Sequence, residues 1–239
     1  MTPSKIPAGS DSRIVFFFDI DNCLYSRACN VQKEMTNLIR QFFTTHLSLP
    51  PNEARTLHQK YQRDYGFTIS GLSRHHNIPP LVFNHEVDDA LPLDKLLKPD
   101  PQLRKFLLDI DKTKVKLWLF TNAYITHAKR VVNLLQVEDL FEGITYCDYA
   151  GVPVVGKPSE EMYVKAEREA GVRGTEMCYF VVIDDSYMNC KHASERGWKA
   201  VHLVEPMLHV PRTPASPYTI QSLEELRSLF PSLFNTTME

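Results

Sequence analysis

Arg13-Ile14-Val15-Phe16-Phe17-Phe18-Asp19-Ile20-Asp21-Asn22 is the stretch that decides how this chain folds. From Ile14 to Phe18, two β-branched residues and three phenylalanines follow one another with no polar break. A strand with one wet face alternates apolar and polar side chains. An unbroken apolar run bounded by turn residues is instead a strand buried on both faces, as in a parallel sheet. The run is far too short to span a bilayer, and it stops at two carboxylates, Asp19 and Asp21.

Four later segments read the same way: 115–120, a weaker 143–147, 178–183 and 199–204. Helical periodicity lies between them at about 99–110, 124–136, 159–170 and 186–196, with Gly171 and Gly197 where helices end. Alternating strands and helices predict an α/β fold, a doubly wound, Rossmann-like parallel sheet. Residues 27–97 interrupt the alternation with helical patterns at about 30–46 and 52–64 and no convincing strand, which predicts a helical insertion after the first strand. The expected division is a core of 13–26 and 98–239 with a helical lobe of 27–97. Residues 1–12 are expected to fray, and 219–229 reads as one last amphipathic helix.

The 239 residues suffice for a full hydrophobic core, and composition is that of a globular protein, 43% hydrophobic and 23% charged. A net charge of −2 gives no electrostatic reason to expect a nucleic-acid polymer or an anionic membrane as partner. The five cysteines are scattered and form no CxxC pair, so neither disulfides nor a zinc site is expected. No targeting signal is evident, and the expected setting is cytoplasmic, with the nucleus also open to the chain.

The chemistry-bearing residues cluster at predicted strand ends. After a strand, Asp19 and Asp21 can both reach one ligand, one as nucleophile and the other as proton donor and acceptor, although the pair alone serves equally well as loop punctuation. Thr121-Asn122 precedes a helix, where a hydroxyl and N–H groups seat phosphate or simply cap the helix. Lys157 supplies a point charge for phosphate oxygens, or is a solvated lysine. Asp184-Asp185 ends an apolar strand, where two acids are costly to desolvate without a cation, or else favour the following helix N-terminus. Taken together, Asp19, Asp21, Asp184 and Asp185 on one sheet edge would repel strongly without a metal. A divalent cation such as Mg²⁺, together with Lys157, balances them and leaves room for a phosphate dianion.

In that order, Asp19-Ile20-Asp21-Asn22, Thr121-Asn122, Lys157-Pro158 and Asp184-Asp185-Ser186 resemble the four signature motifs of the haloacid dehalogenase (HAD) superfamily of phosphatases. The resemblance implies that Asp19 is the nucleophile, that Asp21 is the acid/base, and that Thr121, Asn122 and Lys157 bind phosphate. It further implies that Asp19, Asp184 and Asp185, with the carbonyl of Asp21, bind Mg²⁺. The helical segment falls where that family carries its type-one cap. Cys23 stands where many members have Thr or another small residue. Asp21-Asn22-Cys23-Leu24-Tyr25, Tyr65-Gly66, Gly71-Leu72, His75-His76, Val87-Asp88-Asp89-Ala90-Leu91-Pro92, Leu119-Phe120-Thr121-Asn122-Ala123 and Thr145-Tyr146-Cys147-Asp148-Tyr149 are similar to the fungal pyrimidine 5′-nucleotidase subgroup. This implies a nucleoside 5′-monophosphate as partner, pyrimidine favoured, acted on by a monomer or weak homo-oligomer.

Within the cap, Tyr61 or Tyr65 could stack on a base and Gln59 could hydrogen-bond its edge, while both tyrosines could equally pack in the cap's own core. Adjacent His75 and His76 point apart on a helix and are not expected to share a metal. The rival readings are a phosphatase for lysophosphatidate, a sugar phosphate or pyridoxal phosphate, a phosphomutase, and a non-catalytic phosphate sensor. Asp21 and Asp184-Asp185 speak against a metal-free dehalogenase, and the complete motif set speaks against the sensor.

Overall fold

In the computed structural model, which describes residues 11–151, 153–171 and 180–235, the first strand is the centre of the sheet. Strand β1 (Ile14–Phe18) pairs in parallel with β2 (Val115–Thr121) on one side and β4 (Phe180–Asp184) on the other, with Phe18 opposite Leu119 and Ile183. Outside them lie β3 (Gly143–Tyr146), β5 (Lys199–Leu203) and β6 (Tyr218–Ile220), giving the parallel order β3-β2-β1-β4-β5-β6. The winding reverses at β1, so the crevice beyond the carboxyl ends of β1, β2 and β4 is where such a sheet accepts ligands.

The unbroken apolar run of β1 is explained by its two covered faces. Val15 and Phe17 join one cluster with Trp118, Phe120, Met162, Tyr163 and Trp198, whereas Phe16 and Phe18 join another with Leu117, Leu119, Val131 and Ile183. Helices α8 (Glu160–Glu169) and α9 (Tyr187–Glu195) cover the first face. Helices α6 (Pro101–Leu108), α7 (Ile125–Leu134) and α10 (Leu226–Leu229) cover the second. Helix ends follow local chemistry. Asp100 accepts from the N–H groups of Gln102 and Leu103 ahead of Pro101, and Gly197 ends α9 at φ 93°, where a Cβ would be strained.

Residues 31–96 form α1 (Val31–Leu47), α2 (Pro51–Tyr65), α3 (Thr68–His75), α4 (Pro80–Phe83), a π-helical turn (Asn84–Asp88) and α5 (Leu93–Leu96). Ile39, Phe42, Phe43, Tyr61, Ile69, Leu72 and Phe83 make a separate apolar cluster, closed from the sheet side by Cys147, Tyr149 and Val154. Leu91, Leu93 and Leu97 pack instead into the core under the sheet, so α5 anchors the helical segment to the main body.

One expectation needs adjustment. The helix expected over 219–229 is a strand, β6, then a 3₁₀ turn (Leu223–Glu225) and the short α10. Tyr218, Thr219 and Ile220 are strand formers lying against the open edge of β5. The helix signal proper, a capping box of Ser222 and Glu225, comes only after them. The strand expected to begin at Cys178 is described from Phe180 onward; Cys178 and Tyr179, like residues 1–10 of the segment expected to fray, lie outside the described residues.

Candidate active site

The backbone beyond β1 places two carboxylates on one cavity wall. The Asp19 N–H is held by the Ile183 carbonyl at 2.9 Å, one residue past the strand pairing, and the Leu24 N–H returns to Ile20 O at 3.0 Å. Asn22 adopts φ 57°, a left-handed conformation that Asn tolerates better than most residues, and so turns the chain there. Asp19 and Asp21 thereby line a cavity of about 230 Å³ together with Thr121, Asn122, Lys157 and Asp185.

Lys157 is the hub. Its side chain is fully buried, with Nζ 2.5 Å from Asp184 Oδ2, 3.0 Å from Asp19 Oδ1 and donating to the Phe120 carbonyl at 2.7 Å. All three ammonium donors are thus used. Burial pushes the Lys157 ammonium down, but the Asp184 and Asp19 carboxylates outweigh it and the net shift is upward, so it stays charged.

The Asn122 side chain is engaged with the same residue. Its Nδ2 donates to the Lys157 carbonyl at 2.9 Å and its Oδ1 accepts the Lys157 N–H at 2.6 Å, so the carboxamide holds the lysine loop. Thr121 Oγ1 accepts the Ala123 N–H at 3.0 Å, leaving its hydroxyl hydrogen for an anion in the cavity. The loop also needs glycine. A Cβ on Gly156 would lie 2.6 Å from the Phe67 ring and 2.8 Å from Asn122 Oδ1. Gly66, at φ 80°, leaves only 3.0 Å to Pro158 for a Cβ.

At the end of β4, Asp184 is fully buried and accepts from the Ser186 N–H at 2.8 Å and from Asn189 Nδ2 at 3.1 Å on each oxygen. Asp185 is paired with the Arg27 guanidinium. Asp19, Asp184 and Asp185 each offer an oxygen within 4.8 Å of the others. Burial, then the Asp184 charge, pushes the Asp19 carboxyl well up despite Lys157, and the same two causes take Asp185 up to about 6 despite Arg27. Three hard oxygen donors against two cations leave negative charge before any phosphate arrives. That donor set fits a small divalent cation such as Mg²⁺.

Asp21 has separate partners. Its Oδ1 accepts from Tyr25 Oη at 2.5 Å and lies 2.8 Å from His127 Nε2. Burial would raise the Asp21 carboxyl, but the His127 charge and the two hydrogen bonds carry it below its ordinary value. Nearby Asp88 is pushed up to about 7 by burial, and its Oδ2 has no partner among the described residues. Between the ordinary carboxyl value of 3.8 and 7 the folded chain therefore holds a proton that the unfolded chain has lost. Stability from this group is complete below the lower value and is lost as pH rises through the upper one. Asp88→Asn is expected to raise Tm by ~3 °C or more at about pH 8 and by much less at about pH 5; parallel Tm profiles for variant and wild type would contradict this.

The cap residues singled out from sequence sit elsewhere. Tyr61 is buried against Phe43 and bonds His76 Nε2 at 2.5 Å, Tyr65 bonds His75 Nε2 at 2.5 Å, and Gln59 is exposed on α2. None of the three lines the cavity. Tyr61 and Tyr65, one turn apart, face the cap's own core, and the cavity is reached instead by Gln62, Phe67, Gln32, Met35, Ile39 and Phe83. Arg27, His127 and Asn189 also escaped the sequence reading, and Tyr25 entered it only within the subgroup resemblance, with no role of its own. Asn189 and Tyr25 each stand four positions beyond a motif acid, Asp185 and Asp21, whereas Arg27 and His127 carried no local signal. A larger apolar cavity of about 680 Å³ opens beside Tyr25 and Phe106, but of the motif acids it meets none.

A family model described as haloacid dehalogenase-like hydrolase matches residues 15–191. Phosphate metabolism protein 8 of Saccharomyces cerevisiae is 38% identical over an alignment of 213 residues that covers 85% of this chain and 65% of that protein, so the chain spans just under two-thirds of that relative's length. Among solved structures, the HAD-hydrolase YfnB from Bacillus subtilis, bound to magnesium, superposes with a TM-score of 0.61 at 14% identity, covering 92% of this chain and 99% of that one. A HAD phosphatase from Thermococcus onnurineus gives 0.56 at 19% identity, covering 91% and 97%. At these identities the two structures share the fold.

Proposed function

The chain belongs to the haloacid dehalogenase-like hydrolases, and from that premise we propose that it is a Mg²⁺-dependent phosphomonoester hydrolase acting on nucleoside 5′-monophosphates, pyrimidine favoured. The observation that carries the reading is the buried Lys157, bridging Asp19 and Asp184 at the floor of a cavity that Asp21 and Thr121 also line. An Asp19 oxygen attacks phosphorus as the ester oxygen leaves, giving an aspartyl-phosphate, and Asp21 protonates the leaving oxygen. Asp21 then takes a proton from the water that hydrolyses the acyl phosphate. Lys157 holds the nucleophile in place, and Thr121 donates to a phosphate oxygen. Asp19, Asp184 and Asp185 would hold Mg²⁺, which when bound neutralises charge on the phosphoryl oxygens.

The cavity rim supports an uncharged leaving group. Gln32, Gln62 and Asn22 supply amides, and Met35, Ile39, Phe67 and Phe83 supply apolar faces. Among the described lining residues the only cationic side chains are Lys157 and Arg27, both already paired with carboxylates. A second phosphate, as a bisphosphate mutase requires, finds no free cation there. We read residues 27–97 as the cap that closes over the ester, and a reducing cytoplasmic setting accords with the four described free thiols. Among the described residues no helix is long and apolar enough to cross a membrane.

The test is phosphate release from CMP, UMP, AMP, GMP, sugar phosphates, pyridoxal phosphate and lysophosphatidate, with Mg²⁺ and with chelator. The expected result is fastest release from CMP and UMP, lost by ~10³-fold on chelation. Flat, low rates on all nucleotides would overturn the substrate assignment, and full activity in chelator would overturn the metal.

A further inference from the structure

The His127–Asp21 contact has features that a packing contact does not need. His127 sits in the first turn of α7, fully buried, next to Ala128 in the sheet core. Its Nε2 is 2.8 Å from Asp21 Oδ1, while Nδ1 has no partner among the described residues. Burying an imidazole with one nitrogen unsatisfied is unfavourable, and an aliphatic residue would fill the space without that penalty. Tyr25 Oη donates at 2.5 Å to the same oxygen. Two side chains, one from the loop after β1 and one from α7, therefore converge on a single atom. The other oxygen, Oδ2, takes no hydrogen bond from the described residues. The Asp21 side chain as a whole is one-quarter exposed and lines the cavity.

We infer that His127 and Tyr25 are positioning residues for the acid/base carboxylate, fixing Asp21 by Oδ1 so that Oδ2 is presented to the leaving-group oxygen. The inference rests on the hydrolase reading above. A carboxylate held by one oxygen keeps one rotamer, and the remaining oxygen is the one that exchanges a proton with substrate. In the first step the bond from Asp19 to phosphorus forms, the bond from phosphorus to the ester oxygen breaks, and that oxygen takes from Oδ2 a proton that the carboxylate, ionised in the free enzyme, acquires as the phosphate monoester monoanion binds and gives up its own proton. In the second step water adds to phosphorus, the bond to Asp19 breaks, and the water's proton goes to Oδ2. Releasing either Oδ1 contact lets the carboxyl rotate, and the proton is then delivered from the wrong place.

The consequence depends on how much the leaving group needs a proton. A nucleoside alkoxide must be protonated as it departs, whereas p-nitrophenolate leaves as a stable anion. The comparison is kcat/KM, which reports the first step, for CMP and for p-nitrophenyl phosphate at saturating Mg²⁺. It is made in wild type, His127→Leu, His127→Gln and Tyr25→Phe, with Tm recorded for each. His127→Leu is expected to lose ~10²-fold on CMP but under about 3-fold on p-nitrophenyl phosphate. His127→Gln, whose amide N–H replaces Nε2–H, should recover most of the loss. Tyr25→Phe, which keeps the ring and removes only the hydroxyl, should show the same selectivity at smaller size and covers the case in which the leucine variant does not fold. Equal losses on both substrates, no loss on either, or glutamine performing no better than leucine would overturn the inference. Wild-type protein inactive on every ester would instead overturn the hydrolase reading itself.

Discussion

Asp19→Asn is expected to lose phosphate release by ~10⁴-fold or more while remaining folded. The substitution preserves shape and removes the nucleophilic oxygen. Its effect on stability should be small or favourable, because the wild-type carboxylate is pushed up by burial and by Asp184, with Asp185 and Asp21 adding to it. An amide at position 19 relieves that repulsion, and Lys157 keeps its 2.5 Å partner Asp184. Phosphate release and Tm measured on the same preparation check both halves. A large drop in Tm together with lost activity would point to a structural role for Asp19.

Lys157→Met should be damaging on both counts. Methionine fits the apolar stem, but the ammonium is the cation that separates Asp19 from Asp184 in a site where the lysine is wholly buried. Removing one partner of a buried ion pair costs about 3–5 kcal/mol, since the remaining carboxylates are left uncompensated. Activity should fall by ~10³-fold or more, because the nucleophile loses its anchor. Mg²⁺ should raise the Tm of this variant more than that of wild type, as it supplies charge the variant lacks. A variant as stable as wild type without metal would contradict the role given to Lys157.

What could be read from sequence divides along a physical line. The parallel sheet was legible because Ile14–Phe18 is buried on both faces, which leaves a one-dimensional trace in the hydrophobic pattern. Asp19, Thr121, Lys157 and Asp184 could be grouped because each stands at or just past a strand end, or at the start of a helix, and parallel topology gathers those ends on one side. The Arg27–Asp185 pair spans 158 positions and the His127–Asp21 pair 106, so neither has a local signature. The cap shows a different limit. Gln59, Tyr61, Gln62 and Tyr65 share one helix, and only its rotation relative to the sheet decides that Gln62 reaches the cavity while the tyrosines turn inward. Periodicity fixes which residues share a face, not where that face points. The three-residue β6 was hidden because its strand signal is shorter than the helical one that follows it.

The central claim is that Asp19 carries the phosphoryl group. Enzyme mixed with phosphoryl-labelled CMP and Mg²⁺, quenched in acid within one turnover and digested, reports this directly. The predicted result is label on the peptide containing Asp19 and none on Asp19→Asn; with labelled p-nitrophenyl phosphate, whose leaving group needs no proton, the label accumulates in Asp21→Asn, which cannot activate the hydrolytic water. Ester hydrolysis without protein-bound label, or label on a peptide lacking Asp19, would contradict it.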